Sequence, residues 1–244
     1  MKYQQVGDIA IITRPDKKAA AELLACGFRT VCYLEKISGE LREPKVRKLA
    51  GNGTVAVHRE NGILYKLDVA KAMFSKGNLL ERGRLAKLVR PGEVVVDMFA
   101  GIGYFALPIA KAQPTARLYC IEKSPVAASY LEENVQANRI RNVAVLQSDC
   151  MEVKIPEKAG RVLMGYFPGT EKFLPKAIRF LGSEGWVHYH NIYPEGQVPA
   201  KPLAEVRAVA KSCGYRVVKA ECRVVKSYAA RKSHVVVDAL LKRI

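Results

Sequence analysis

From residue 93 onward, short apolar runs alternate with longer amphipathic stretches. "VVVDMF" (94–99), "ARLYCIE" (116–122), "VAVLQSD" (143–149), "RVLMGYF" (161–167) and "GWVHYHNIY" (185–193) read as strands. Between them, 104–112 reads as a helix in which Pro108 falls early enough to be tolerated, and "PVAASYLEENVQANRI" as a helix opened by Pro125. Further helices are predicted at 171–181 and 201–213, and "YRVVKAECRVVKSY" with "HVVVDAL" closes the chain as a strand pair. Near-continuous apolar strands separated by helices predict a mostly parallel sheet covered on both faces, with the final pair as an antiparallel edge.

The first 90 residues have a different rhythm. "TVAVHRENGILYKLDV" alternates apolar positions (Val55, Val57, then Ile63, Tyr65, Leu67) on either side of Asn61-Gly62. An Asn-Gly pair supplies the positive φ angles that a type I′ turn needs, so a hairpin is predicted. In "SKGNLLERGRLAKLV", Ser75 or Asn78 can cap a helix with apolar Leu79, Leu80, Leu85 and Leu88, its positive charge coming from Lys76, Arg82, Arg84 and Lys87. Arg90-Pro91-Gly92 ends it. The expected organisation is therefore a small N-terminal α+β domain over 1–90 and a doubly wound α/β domain over 91–244.

Charge adds a partner to this picture. The net charge is +17, and the excess is confined to the ends: residues 1–90 carry 18 basic and 9 acidic side chains, 201–244 carry 11 and 3, and the middle is balanced at 11 and 11. Basic flanks around a neutral centre suit a polyanion lying across both ends, so a nucleic acid is expected. The bland alternative is solubility charge or a thermophile's ionic surface. Six cysteines without a C-x-x-C pair read as reduced thiols, and four suitably spaced zinc ligands cannot be assembled. No apolar run is long enough to span a bilayer and the N-terminal apolar stretch is too short for a secretory signal, so a cytoplasmic protein is expected.

The chemistry concentrates in "VVVDMFAGIGYFALP". A Gly-x-Gly turn between strand and helix lets backbone approach a ligand closely and aims N–H groups at it. "GIGYFA" even satisfies a dinucleotide pattern, but Asp97 ends the strand four residues before Gly101, where a carboxylate would repel pyrophosphate. The same carboxylate suits a sulfonium. Glu122 ends the second strand, where it can accept both ribose hydroxyls; Asp149, beside Cys150, ends the third, where it can hold the adenine edge. Three acids at successive strand ends point to S-adenosylmethionine, with Asp97, Phe99, Gly101, Gly103, Glu122, Asp149 and Cys150 as the candidate binding set and no metal.

"DMFAGIGYFALPIA" together with "HRENGILYKLDVAKAMFSKGNLLERGR" and "VVKSYAARKSHVVVDAL" resembles two related groups of tRNA-modifying enzymes that act beside the anticodon. They are the guanine-N1 tRNA methyltransferases and the tRNA wybutosine-synthesising protein 2 family, and the resemblance runs from about residue 35 to the C-terminal part. One stretch separates them. Methyltransferases acting on base nitrogens end the fourth strand with Asn/Asp-Pro-Pro-like residues; here Met164-Gly165-Tyr166 supplies neither Asn nor Asp. That stretch, with a Thr-x-Lys-Phe-Leu segment and "HYHN", is similar to the wybutosine branch. The resemblance implies a class I S-adenosylmethionine-dependent Rossmann-like fold. It also implies transfer of the 3-amino-3-carboxypropyl group to 4-demethylwyosine in phenylalanine tRNA, releasing methylthioadenosine.

By the same resemblance, Ser75 and Arg82 touch the methionine end, with Arg82 a partner for its carboxylate. The tRNA-elbow-binding domain of the guanine-N1 enzymes finds no room before residue 35, so grip on the tRNA is expected from 36–90 and the basic C-terminal edge, with no obligate protein partner evident. Tyr166 is the candidate for stacking on or orienting the acceptor base, and His188 for a general base, each against a plain packing role. A guanine-N1 methyltransferase and a non-catalytic tRNA-binding module remain as alternatives.

Overall fold

The computed structural model describes residues 2–74 and 78–244 of the chain. Its N-terminal part builds β1 (Gln4–Val6), β2 (Ile9–Ile12), α1 (Lys17–Ala25), β3 (Thr30–Ser38) and β4 (Glu43–Gly51). These strands form a four-stranded sheet in sequential order; β2 and β3 run parallel because α1 crosses between them, and the other pairs are antiparallel. Asp16 starts α1 by accepting the Ala19 N–H at 3.0 Å, and Ala19, Ala20 and Leu23 bury its inner face.

The hairpin follows as β5 (Val55–Glu60) and β6 (Ile63–Asp68), with Asn61 at φ 49° and Gly62 at φ 74° as its turn chemistry requires. α2 (Leu79–Leu88) begins at Asn78, but its buried face differs from the one the apolar pattern predicts. Glu81, Arg82, Leu85 and Ala86 point inward, whereas Leu79, Leu80 and Leu88 are exposed. Partners brought by other elements make the charged residues the inner ones: Glu60 faces Arg82, and Arg223 faces Glu81, which Arg84 also pairs from within the same helix.

The large sheet is assembled from β7 (Val94–Asp97), β8 (Arg117–Glu122), β9 (Val143–Gln147), β10 (Ala159–Met164), β11 (Leu181–Pro194), β12 (Tyr215–Ala229) and β13 (Lys232–Arg243). Their order is β12-β13-β11-β10-β7-β8-β9, parallel except that β13 pairs antiparallel with both neighbours, which is the edge pair that the sequence predicts. α3 (Ala106–Ala112) and α4 (Pro125–Ala137) cover one face with the hairpin, and α5 (Leu174–Phe180) and α6 (Ala200–Ser212) cover the other. The helix predicted over 171–181 divides into a 3₁₀ turn at Thr170–Phe173 and then α5. The first core cluster runs unbroken from Val6 and Ile9 through Tyr65 and Leu85 to Val95 and Leu107, so the hairpin and α2 share the core of the large sheet. Among the described residues no helix is long and apolar enough to cross a membrane.

Candidate active site

The carboxyl ends of β9, β8, β7 and β10, adjacent in that order, open on one pocket. At the β7 end the chain turns through Ala100–Phe105 with Gly101 at φ 55° and Gly103 at φ 99°. A Cβ on Gly101 would come within 2.5 Å of the Tyr104 ring, and one on Gly103 within 2.5 Å of Leu107. Gly101 lines the pocket. Gly103 does not; it lets α3 pack closely under the turn.

Glu122, at the end of β8, is held from two sides. Gly101 N–H donates to Oε2 and Ser124 N–H to Oε1, both at 2.8 Å. Each oxygen keeps lone pairs for a second donor, the geometry a pair of ribose hydroxyls would use. Burial raises its pKa despite those bonds. Asp97 lies behind the turn, 1% exposed, with Oδ1 accepting from Phe99 N–H at 3.3 Å and Oδ2 buried without a hydrogen bond among the described residues. Burial pushes its pKa up to about 7. At both carboxyls burial disfavours the charged form.

At the β9 end, Asp149 Oδ1 accepts the Met151 N–H and Oδ2 the Lys123 amine, each at 2.9 Å, and these bonds hold its pKa below the ordinary value. The buried Cys150 thiol is pushed up to about 12 by burial and stays protonated. Lys123 also reaches Glu40 at 3.2 Å, and the Tyr166 hydroxyl donates to the Glu40 carbonyl at 3.3 Å. Glu40, Leu41 and Arg42, from the turn between β3 and β4, thus form part of the pocket wall. No local sequence signal marks that turn, because its role depends on where the N-terminal sheet docks.

At the β10 end, Tyr166 stacks on Phe99 with centroids 5.0 Å apart, and Phe173 meets both rings edge-on. Tyr166 therefore belongs to the wall, with its ring face already covered by Phe99. Arg82 also lines the pocket, fully buried, its guanidinium 4.9 Å from the Phe74 ring and 5.3 Å from Tyr104, with Nη1 paired to Glu60. Burial works against the Glu60 charge, but bonds from His58 and the Arg82 charge outweigh it, and its pKa falls below the ordinary value. Ser75 lies outside the described residues.

His188 is not in the pocket, which corrects its assignment as a base. Its Nδ1 bonds Asp238 at 2.5 Å, its Nε2 faces Arg161 at 2.6 Å, and Arg161 continues to Glu93 at 3.0 Å. Both ring nitrogens are occupied in a buried ionic network between β10, β11 and β13, so the imidazole has no face for a substrate. His190, two residues on, turns instead to His234, with 3.0 Å between ring nitrogens.

A family model described as "TRM5/TYW2 methyltransferase domain" matches residues 56–218. The tRNA(Phe) (4-demethylwyosine(37)-C(7)) aminocarboxypropyltransferase of Methanocaldococcus jannaschii is 42% identical, with all of this chain and 99% of that protein covered. The crystal structure of Pyrococcus horikoshii TYW2 in complex with MeSAdo superposes with a TM-score of 0.88 at 36% identity, covering all of this chain and 91% of that one. Trm5b of Pyrococcus abyssi, a tRNA (guanine(37)-N(1))-methyltransferase, is 36% identical over 97% of this chain and 73% of its own.

Proposed function

This chain belongs to the TRM5/TYW2 family, and from that premise we propose that it transfers the 3-amino-3-carboxypropyl group of S-adenosylmethionine to 4-demethylwyosine in tRNA, releasing methylthioadenosine. The observation that supports the choice of group is that β10 ends in Met164-Gly165-Tyr166, with neither the Asn nor the Asp that orients a base nitrogen toward a methyl group, and with the Phe105 ring 2.6 Å from where a Cβ on Gly165 would lie.

The sulfonium supplies three carbons open to displacement, and the pocket selects which one faces the acceptor. In this proposal Glu122 holds the ribose, Asp149 and Cys150 the adenine side, and Gly101 and Phe99 the nucleoside's underside. Asp97 favours the positive charge from behind the turn, and Arg82 takes the methionine carboxylate. A guanidinium paired with Glu60 and resting over the Phe74 and Tyr104 rings is held in direction, which suits presenting one carbon in line rather than merely binding. Ser75 keeps the family's methionine-end assignment. Tyr166 shapes the wall beside the reactive end, its hydroxyl donating to the Glu40 carbonyl.

The finer proposal is that the tRNA is phenylalanine tRNA, modified in the cytoplasm beside its anticodon. Residues 1–90 serve chiefly as its contact module and 91–244 as the catalytic part. Incubation with carboxyl-labelled S-adenosylmethionine and precursor tRNA tests the reaction. Label is expected in the tRNA, and none from the methyl-labelled cofactor. Methyl label in the tRNA, with S-adenosylhomocysteine as co-product, would assign the chain to guanine-N1 methylation instead.

A further inference from the structure

The wall of the pocket does not end at Tyr166. Phe167, the next residue, is half-buried and also lines the pocket. Unlike Tyr166, whose ring partners are Phe99 and Phe173, it meets rings of the β12–β13 pair. His234 lies against it with centroids 4.1 Å apart and Tyr228 meets it edge-on at 5.9 Å. The sheet order explains the placement. β10 is followed by β11, β13 and β12, and the start of β13 and the end of β12 return to the same end of the sheet as the carboxyl end of β10. His234 is fully buried and bonded to His190, which itself stacks on Phe105. Burial depresses both imidazoles, that of His190 to about 3, so the support under Phe167 is neutral near pH 7.

The outer rim of this aromatic cluster is basic. Tyr228 is 44% exposed, Lys226 is register-paired with His234, and the turn beyond carries exposed Arg231 and Lys232, while Arg223 is taken by Asp238. An aromatic face open to a cofactor pocket, rigidly backed and rimmed by cations, fits a planar base carried on a phosphate chain.

We infer that Phe167, braced by His234 and edged by Tyr228, is the stacking surface for the acceptor base, and that Lys226 and Arg231 meet the phosphates flanking it. This rests on the transfer to a tricyclic base proposed above. A tricyclic base offers more π surface than guanine, so stacking at Phe167 also separates the true acceptor from its unmodified precursor.

The test compares wild-type protein with Phe167→Leu, Phe167→Tyr and Tyr228→Leu. Each is measured on two tRNAs that carry either 4-demethylwyosine or guanine at the acceptor position. Phe167→Leu is expected to weaken binding of the tricyclic tRNA about tenfold, the scale of one lost base–aromatic stack. Binding of the guanine tRNA and of S-adenosylmethionine should stay within about twofold of wild type. Phe167→Tyr should restore the preference, and Tyr228→Leu, at an exposed position where folding is not at risk, should lose part of it. Equal weakening of both tRNAs, or wild-type discrimination in Phe167→Leu, overturns the inference. Carboxyl label entering tRNA with wild-type protein keeps those outcomes separate from failure of the reaction itself; no label with wild type overturns both.

Discussion

Asp97 shows how far one residue's surroundings control its chemistry. Its ordinary pKa of 3.8 rises to about 7 because burial removes the water that would solvate the charge, and Glu122 adds a second negative charge nearby. The folded protein thus holds a proton at pH 5–6 that the unfolded chain has released. Its stabilising effect is full below about pH 4 and is lost as pH rises through about 7. Stability of the ligand-free protein should therefore fall between pH 5 and pH 9, by on the order of 3 kcal/mol from this group, and Asp97→Asn should flatten the fall. Denaturant unfolding at a series of pH values checks this; a wild-type profile no steeper than that of the variant would count against a protonated Asp97. His188 makes the converse point. Its partner Asp238 draws it into an ionic network, and a residue type suited to base catalysis becomes structural.

At the scale of elements, the hairpin is held by a device that no strand provides. Among the described residues no further strand pairs with the outward edge of β6, and two side-chain amides of α4 take that place. Asn134 accepts from Lys66 N–H at 2.7 Å and donates to the Lys66 carbonyl at 3.2 Å; Asn138 does the same for Leu64 at 2.9 and 2.7 Å. Four residues apart on a helix, the two amides match residues two apart on a strand. Asn134 is completely buried and also donates to the Ile102 carbonyl, beside the glycine turn. Asn134→Ala would strand buried backbone groups and should cost about 2–4 kcal/mol of stability, read from a shift of the denaturation midpoint. A loss below about 0.5 kcal/mol would mean that water replaces the amide without penalty.

Over the whole molecule, charge and core divide differently. The core is continuous from the N-terminal sheet through the hairpin to α3, so the basic first 90 residues are joined to the large sheet by shared apolar packing. The basic rim of β12 and β13 lies at the opposite edge of the large sheet from β9. A tRNA held across such surfaces releases counterions on binding, so its affinity should fall at least about tenfold between 50 and 200 mM salt. The affinity for S-adenosylmethionine, set by enclosed contacts, should change little. Measuring both on one preparation checks this, and a flat response for tRNA would remove the basic flanks as its contact surface.

What the sequence alone determined is what local chemistry encodes. Asn61-Gly62 specifies its own turn, alternating apolar runs specify the strands of the large sheet, and Asp97 and Glu122 each end a strand while Asp149 lies two residues beyond one. Parallel order then places those strand ends side by side, because crossover helices leave few other arrangements. The tertiary structure decided everything that depends on contacts far apart in the chain. Arg82 reads as a surface cation until Glu60, Phe74 and Tyr104 surround it, and His188 reads as a candidate base until Asp238 and Arg161 occupy both nitrogens. Glu40 carries no signal until the turn between β3 and β4 meets Lys123. Side-chain type is fixed residue by residue, but the partner that sets its charge, burial and direction arrives only when distant strands dock.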